Sequence, residues 1–212
     1  MIITISREFG SGGRELGKRL SNVLEIPCYD KEIIQMIAEK QGFDEQYVSH
    51  ISEKNLQAAY PRTIGCRFTM TPHPVTKQAV TIAVDQQKII KTFAAQGDCI
   101  MIGRCADVIL KEYNPFNIFV YADMDTKLKR CIERAPKGEN LTPTELERKI
   151  REVDKERAKH REFYISAKEN ARSNYHLCIN TSSIEIKKIV PVLAEYIKVW
   201  FEIRIENKAR NV

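Results

Sequence analysis

The sequence contains no long hydrophobic run: no stretch of about 18 uncharged apolar residues, the minimum for a membrane-spanning helix, occurs in its 212 residues. It also does not begin like a signal or transit peptide, because Met1 leads directly into a β-branched run. A hydrophobic content of 43% with 29% charged residues excludes a disordered chain. We therefore expect one folded, cytoplasmic domain over residues 1–212, with no membrane partner.

Paired cysteines are also missing, since the six cysteines form no C-x-x-C motif. Such isolated cysteines are typical of small buried residues in a reducing compartment. They indicate neither a disulfide framework nor a metal site. The six are Cys28, Cys66, Cys99, Cys105, Cys131 and Cys178.

The first 24 residues predict a strand, a glycine-rich loop and a helix. The β-branched run Ile2–Ile5 predicts the strand, and the apolar stripe of the helix is Leu16, Leu20, Val23 and Leu24. Unpaired N–H groups in such a loop and the dipole of the following helix attract anions. We predict a phosphate-binding loop of an α/β nucleotide-binding domain; the alternative is an ordinary loop rich in glycine. Its candidate phosphate-binding residues are Gly10, Ser11, Gly12, Gly13, Arg14 and Glu15.

This loop lacks the lysine and hydroxyl of the phosphate-binding pattern G-x-x-x-x-G-K-[ST]. If the second glycine of the pattern is aligned with Gly12, Gly13 occupies the position of the lysine and Arg14 that of the Ser or Thr. If the second glycine of the pattern is aligned with Gly13, Arg14 occupies the position of the lysine and Glu15 that of the Ser or Thr. We therefore predict that Arg14 binds phosphate by bidentate hydrogen bonds, and that the loop has no side-chain ligand for magnesium.

A third alignment matches Gly12, Gly17 and Lys18, with Arg19 in place of the hydroxyl. It would consume Leu16, the first residue of the helical stripe. We reject it and expect Lys18 to be a solvated helix residue.

Asp30 stands between a short extended stretch, Ile26–Asp30, and a helix predicted over Lys31–Gln41 that ends at Gly42. The inward positions of this helix are Ile33, Ile34 and Ile37. An aspartate at this point is a good N-cap, which is the interpretation we favour. The alternative is a carboxylate that faces a substrate.

The segment Phe43–Pro74 has weak periodicity and many turn residues, and a long helix is predicted after it over Val75–Gln96. The segment is a candidate for a substrate-covering region or a dimer contact, so a homodimer stays open. Four of its residues are candidates for a pocket that binds a base and a phosphate: Tyr60, Arg62, Arg67 and Phe68.

A second informative stretch is Cys99–Ile102, a continuous apolar run typical of a buried parallel strand. Gly103 and Arg104 follow it, with Asp107 three residues on. Ligands of open α/β sheets bind beyond the carboxyl ends of the strands. We therefore predict that Arg104 holds a phosphate and Asp107 a ribose or base donor. The alternative is that Asp107 caps the next helix and pairs with Arg104.

The last third of the chain is basic, with 14 Lys and Arg against 9 Asp and Glu over 127–172. A helix is predicted over Asp125–Ala135, with Leu128, Cys131 and Ile132 inward and its end near Arg134. A capping box at Thr142 begins another helix that we expect to extend to about Asn170. On this second helix, i, i+3 and i+4 spacing places Ile150, Asp154, Arg157 and Arg161 on one face. Ser183 is the predicted cap of a final helix that contains Pro191.

The excess of positive charge over 127–172 favours binding of a polyanion, either nucleotide phosphates or a nucleic-acid backbone. A solvated helix with internal ion pairs is the alternative. We rank a nucleic-acid-binding protein last, because Phe163 and Tyr164 do not interleave with the basic residues as stacking aromatics do.

Four motifs together resemble the cytidylate kinase-like P-loop proteins, which are related to nucleoside monophosphate kinases. The motifs are ISREFGSGGRELGK, YDKEII, IMIGRCADVIL and KIREVDKERAKHREFY, and they extend over nearly the whole chain. Asp154 and Arg157 match an Asp-x-x-Arg element of the family's lid helix. Gly103, Arg104 and Asp107 match its Gly-Arg-Asp element only loosely.

The resemblance implies a three-layer α/β fold with a parallel sheet, flanking helices and a helical lid over 134–165, with 43–75 as an insertion beside the acceptor. It implies transfer of the γ-phosphoryl group of ATP, with Mg²⁺, to a nucleoside monophosphate such as CMP. The implied catalytic residues are Arg14, Arg134, Arg157 and Arg161. The implied acceptor-binding residues are Asp30, Arg104, Asp107 and Asp154. The missing loop lysine leaves a second hypothesis, a nucleotide-binding regulatory module with weak or no turnover.

Overall fold

The computed structural model describes residues 1–53, 74–135, 141–165 and 174–210 of the chain. Within these ranges the chain forms five strands, which are β1 (Ile2–Arg7), β2 (Cys28–Tyr29), β3 (Cys99–Ile102), β4 (Phe116–Tyr121) and β5 (Leu177–Asn180). It also forms eight α-helices, which are α1 (Gly13–Leu24), α2 (Glu32–Gln41), α3 (Glu45–Glu53), α4 (Pro74–Ala95), α5 (Ala106–Ile109), α6 (Met124–Glu133), α7 (Pro143–Tyr164) and α8 (Ile186–Arg210). A short 3-10 helix, Lys111–Tyr113, precedes β4.

The five strands form one parallel sheet in the order β2-β3-β1-β4-β5. The central strand is β1, whose Ile3 is in register with Ile100 of β3 and with Phe116 of β4. Because all strands run the same way, their carboxyl ends meet at one edge. The glycine-rich loop after β1 therefore lies beside the ends of β3 and β4.

Two hydrophobic cores lie on the two faces of this sheet. One core joins the sheet to α2, α4 and α5 and includes Ile37, Ile90 and Met101. The other joins it to α1 and α8 and includes Leu16 and Ile197. This arrangement confirms the predicted three-layer α/β fold with flanking helices. None of the helices in the described ranges is both long and apolar enough to cross a membrane.

Several local predictions are confirmed. The cap residue Gly42 ends α2 in the left-handed conformation, with φ of 67°. The capping box forms at the start of α7, where Thr142 and Glu145 bond reciprocally. The expectation of buried cysteines is confirmed for Cys99 and Cys105, whereas Cys28, Cys131 and Cys178 are only partly buried, and Cys66 lies outside the described ranges. Lys18 is exposed, as expected for a solvated helix residue.

Two predicted apolar positions are wrong. Val23 is 45% exposed, whereas Gly17 belongs to the buried face of α1. A Cβ at Gly17 would lie 2.7 Å from Ile102, so only glycine lets α1 approach the sheet this closely. Ile132 is 58% exposed, because α6 turns the amphipathic Lys127 inward instead.

Other boundaries also differ from the predictions. Residues 45–53 form α3, although their weak periodicity indicated no helix. The helix predicted to reach Asn170 ends at Tyr164, because Ile165 is already extended. Ser183 is not an N-cap, since α8 begins three residues later at Ile186 and continues through Pro191. The candidate pocket residues Tyr60, Arg62, Arg67 and Phe68 lie outside the described ranges.

Candidate functional site

The loop between β1 and α1 has the backbone shape of an anion site. Gly12 has a φ of 83°, and a Cβ there would overlap the side chain of Ile186, so a larger residue fits neither the backbone nor the space. The first backbone hydrogen bond of α1 joins the N–H of Leu16 to the carbonyl of Gly12 at 2.9 Å. The N–H groups of Gly13, Arg14 and Glu15 therefore have no acceptor within the helix.

The back of the loop is fixed by Ser11. Its hydroxyl donates to the carbonyl of Glu8 at 2.8 Å, so this hydroxyl is used to hold the loop. Its carbonyl accepts from Nη1 of Arg130 at 3.0 Å and from the hydroxyl of Thr181 at 2.7 Å. Arg130 in turn donates from Nη2 to the carbonyl of Thr181 at 2.9 Å. The loop is thus tied to α6 and to the turn after β5.

Lys127 lies beneath the same loop and is a residue that sequence reasoning missed. Only 5% of it is exposed, and its Nζ lies 2.6 Å from Glu8 and 3.0 Å from Asp154. Burial alone would lower the pKa of Lys127, but the bonds to these two carboxylates outweigh burial and raise it. No sequence signal could have revealed it, because its partners belong to distant segments.

Asp154 binds the loop directly. Its Oδ1 accepts a hydrogen bond of 2.6 Å from the N–H of Phe9. The same oxygen lies 3.9 Å from Nη1 of Arg157, whose guanidinium stands 5.7 Å from the centre of the Phe9 ring. Arg157 also donates to the carbonyl of Arg7 at 3.5 Å. The predicted face of α7 is therefore docked on the loop.

Asp30 is a buried carboxylate that binds arginine, so the cap interpretation is wrong. Lys31, not Asp30, stands at the N-cap position of α2. Oδ2 of Asp30 lies 2.5 Å from Nε of Arg14, and its Oδ1 lies 3.7 Å from Nη2 of Arg7. The predicted phosphate partner Arg14 is thus held beside β2.

Glu15 and Arg134 form an ion pair beside the mouth of the loop. Glu15 also accepts from Arg19 at 2.8 Å. Partial burial would raise the pKa of Glu15, but its hydrogen bonds to the two arginines lower it overall. Arg134 is more than half exposed, at the side of the loop.

Asp107 does not pair with Arg104, nor does it cap α5, whose N-cap position is Cys105. Its Oδ2 lies 2.5 Å from Nη1 of Arg161 on α7. Burial would lower the pKa of Arg161, but the charge of Asp107 raises it above its ordinary value. Arg104 has a φ of 57°, and its carbonyl accepts from Gln86 at 3.3 Å.

Two cavities open at this edge of the sheet. The first has a volume of about 450 Å³ and lies over the glycine loop, between α1, α6 and α7. The second has a volume of about 360 Å³ and lies between the ends of β1, β3 and β4 and the face of α7. Arg7, Glu8 and Arg157 line both cavities. Charged and glycine residues of the first also include Gly10, Gly12, Gly13, Arg14, Arg130, Arg134 and Lys149.

The second cavity receives some of the predicted acceptor residues. Arg104, Asp154 and Arg161 line it, together with the aromatic rings of Phe119 and Tyr175. Two other predicted acceptor residues, Asp30 and Asp107, do not line it and instead bind the arginines that do.

Comparison with known proteins places these features in a family. Residues 2–183 match the cytidylate kinase-like family, which agrees with the resemblance seen in the four motifs. A search of curated proteins finds no significant match.

Solved structures share the fold over almost the whole chain. An uncharacterized protein from Eubacterium ventriosum is 26% identical, with a TM-score of 0.66, and the alignment covers 93% of this chain and 98% of that one. Shikimate kinase from Bacteroides thetaiotaomicron is 15% identical, with a TM-score of 0.55 and coverage of 93% and 98%. Deoxyadenosine kinase from M. mycoides is 13% identical, with a TM-score of 0.50 and coverage of 94% and 100%.

Proposed function

Because the chain belongs to the cytidylate kinase-like family, we propose that it transfers the γ-phosphoryl group of ATP to a nucleoside monophosphate such as CMP, or to a related small acceptor. The observation that carries this proposal is the pair of cavities that share Arg7, Glu8 and Arg157. A donor in one cavity and an acceptor in the other would meet at these residues.

The first cavity suits ATP. The N–H groups at the start of α1 and the cations Arg130, Arg134 and Lys149 favour the charged phosphates. An apolar wall formed by Ile132, Leu141 and Leu146 favours the adenine ring. The exposed position of Ile132, which made it a wrong core prediction, is explained by this role.

The second cavity suits a small anion that carries a ring. Arg104, Arg157 and Arg161 supply positive charge for a phosphate. The rings of Phe119 and Tyr175, whose centres lie 5.1 Å apart, give the cavity an aromatic wall against which a base can pack. Asp107 holds Arg161 in place with its 2.5 Å contact. Asp30 and Asp107 therefore act by positioning arginines.

Phosphoryl transfer requires in-line positioning and positive charge around the moving group. Arg157 is placed for this purpose, because it borders both cavities and is anchored near Asp154. The helix α7 lines one side of both cavities. Enclosure of the site on this side would exclude the water that would otherwise accept the phosphoryl group.

The described residues do not fit a protein-held magnesium ion. The carboxylates nearest the loop, Glu8, Asp30 and Asp154, all bind cations, and no cluster of three His, Cys, Asp or Glu that could hold a metal occurs in the described ranges. We therefore propose that magnesium enters the site bound to the phosphates of ATP, and that no side chain of the protein acts as its ligand.

A catalytically weak nucleotide-binding module is the second candidate. The observation that favours it is the replacement of the loop lysine and hydroxyl by Gly13 and Arg14, the latter bound to Asp30. Such a module would bind ATP and transfer nothing.

Turnover with ATP and a panel of the four ribonucleoside monophosphates separates the two candidates. We expect product formation by the wild-type chain, no product from Gly12→Asp, and a loss of about 10³-fold in kcat from Arg157→Ala. Binding of an ATP analogue is measured in parallel. If the wild-type chain binds ATP but shows no turnover above the Gly12→Asp background, the kinase hypothesis is wrong and the nucleotide-binding module is supported.

A further inference from the structure

Arg7, the last residue of β1, has a path that depends on two glycines. Its stem crosses Gly13, where a Cβ would lie 2.6 Å from the Cβ and 3.2 Å from the Cγ of Arg7. Its guanidinium then lies against Gly103, where a Cβ would overlap Nη1 and lie 2.7 Å from Cζ. Side chains at either position would displace Arg7, because such separations are far inside van der Waals contact.

One of these glycines is the residue that stands at the lysine of the phosphate-binding pattern when the loop ends on Gly12. In that alignment the lysine is missing at Gly13 because the stem of Arg7 occupies the space its side chain would need. The absence of the loop lysine and the presence of the Arg7 guanidinium therefore have the same structural cause, because both depend on the missing side chain at Gly13.

The guanidinium of Arg7 lies where it could replace the charge of the loop lysine. Its side chain is only 10% exposed, yet it lines both cavities. The carboxylate of Asp30 is shared between Arg7, at 3.7 Å, and Arg14, at 2.5 Å, so two guanidinium groups face one negative charge. A phosphate between the cavities would meet the guanidinium of Arg7, for which the two glycines leave room.

We infer that Arg7 is a catalytic residue that supplies, from the end of β1, the positive charge that the loop lysine would otherwise supply. This inference rests on the proposed phosphoryl transfer. In the transfer, the bond between the γ-phosphorus and the bridging oxygen breaks and its electron pair stays on ADP. A new bond forms from the γ-phosphorus to a phosphate oxygen of the acceptor. Arg7 keeps its protons and neutralises the charge on the moving group.

The first test compares Arg7→Met, which keeps most of the stem, with Arg151→Met, which removes an exposed arginine of α7 outside both cavities. We expect Arg7→Met to lower kcat by about 10²–10³-fold, with nearly unchanged affinity for an ATP analogue. Arg151→Met is expected to retain wild-type kcat. Wild-type kcat in Arg7→Met would overturn the inference.

The second test replaces the cation of Arg7 by a lysine at position 13 of the loop. Gly13→Lys alone should lose stability and turnover, because the new stem collides with Arg7. The double variant Arg7→Gly with Gly13→Lys should fold and recover at least about tenfold of the kcat lost in Arg7→Met. A double variant with wild-type Tm that stays as slow as Arg7→Met would overturn the inference, because Arg7 would then act only through the structure.

The wild-type measurement distinguishes this inference from the proposed function. If the wild-type chain transfers no phosphoryl group to any acceptor of the panel, the proposed function fails and the role of Arg7 fails with it. If the wild-type chain is active and Arg7→Met is equally active, only the role of Arg7 fails.

Discussion

The ammonium group of Lys127 lies 3.0 Å from a carboxylate oxygen of Asp154, and this ion pair joins α6 to α7. Because the other oxygen of Asp154 accepts from the N–H of Phe9, the pair also anchors the glycine loop. Glu8 completes the cluster at 2.6 Å from the same ammonium group. One buried cation thus bridges two carboxylates that hold the floor of the site.

Replacing this cation should destabilise the protein. In Lys127→Met, Glu8 and Asp154 would face each other without a positive charge between them, and loss of one member of a buried ion cluster costs about 3 kcal/mol. We expect a lower free energy of unfolding in urea and weaker binding of an ATP analogue. The matched control is Lys129→Met on the exposed side of α6, which should leave both unchanged. Equal stability of the two variants would show that the cluster does not hold the loop.

Gly12 and Gly42 offer a matched pair of glycine substitutions. Both have positive φ, at 83° and 67°, but a Cβ at Gly12 would overlap Ile186, whereas nothing lies within 4 Å of a Cβ at Gly42. We expect Gly42→Ala to cost about 1 kcal/mol from backbone strain and to bind nucleotide normally. Gly12→Ala should cost more and lower the affinity for an ATP analogue, measured by calorimetry. Normal nucleotide affinity in Gly12→Ala would contradict the role of the loop.

The sequence predicted the features that depend on near neighbours in the chain. The strand and loop at the start, the end of α2 at Gly42 and the capping box at Thr142 all follow from residues within one or two turns of each other. The shared face of Asp154, Arg157 and Arg161 follows from helical spacing alone.

The residues that hold the site together could not be predicted in this way. Hydrophobic periodicity assumes that charged residues point outward, so it placed Ile132 inside and gave no role to Lys127, whereas Ile132 is exposed and Lys127 is buried. The predicted strand ends at Ile5 and gives Arg7 no role, and only the neighbouring order of β1 and β3 brings Arg7 against Gly103. Both cases depend on tertiary contacts that leave no local pattern.

The ion pair between Asp107 and Arg161 predicts a role in acceptor binding. Asp107→Asn would remove the charge that lies 2.5 Å from Arg161, and Arg161 lines the second cavity. We expect the acceptor KM to rise about tenfold, with a smaller change in the KM for ATP, because an arginine without its partner is less well positioned. Glu147→Gln is the control, since it breaks an exposed pair with Arg151 on the same helix. Equal changes in the two Michaelis constants would argue against an acceptor site in this cavity.

His176 sets a pH dependence of stability. Its Nδ1 accepts a hydrogen bond of 2.9 Å from the N–H of Asn117, and its ring packs against Phe116 and Trp200. Burial, assisted by the positive charge of Arg204 on α8, lowers the pKa of His176 below its ordinary value. Protonation of Nδ1 would also remove the acceptor for Asn117.

Since the folded state binds this proton less readily than the unfolded state, stability should fall as the pH decreases below about 6.5, the ordinary pKa of histidine. The loss continues until the pH reaches the lowered pKa of the folded state, and it is small because the ring is partly exposed to water. His176→Gln keeps an oxygen that can accept from Asn117 but does not titrate. We therefore expect its free energy of unfolding, measured in urea between pH 5 and pH 7, to change less with pH than that of the wild type. Carboxylates and the other histidines titrate in both proteins, so the difference between the two curves isolates His176, and identical slopes would show that its environment does not disfavour the proton.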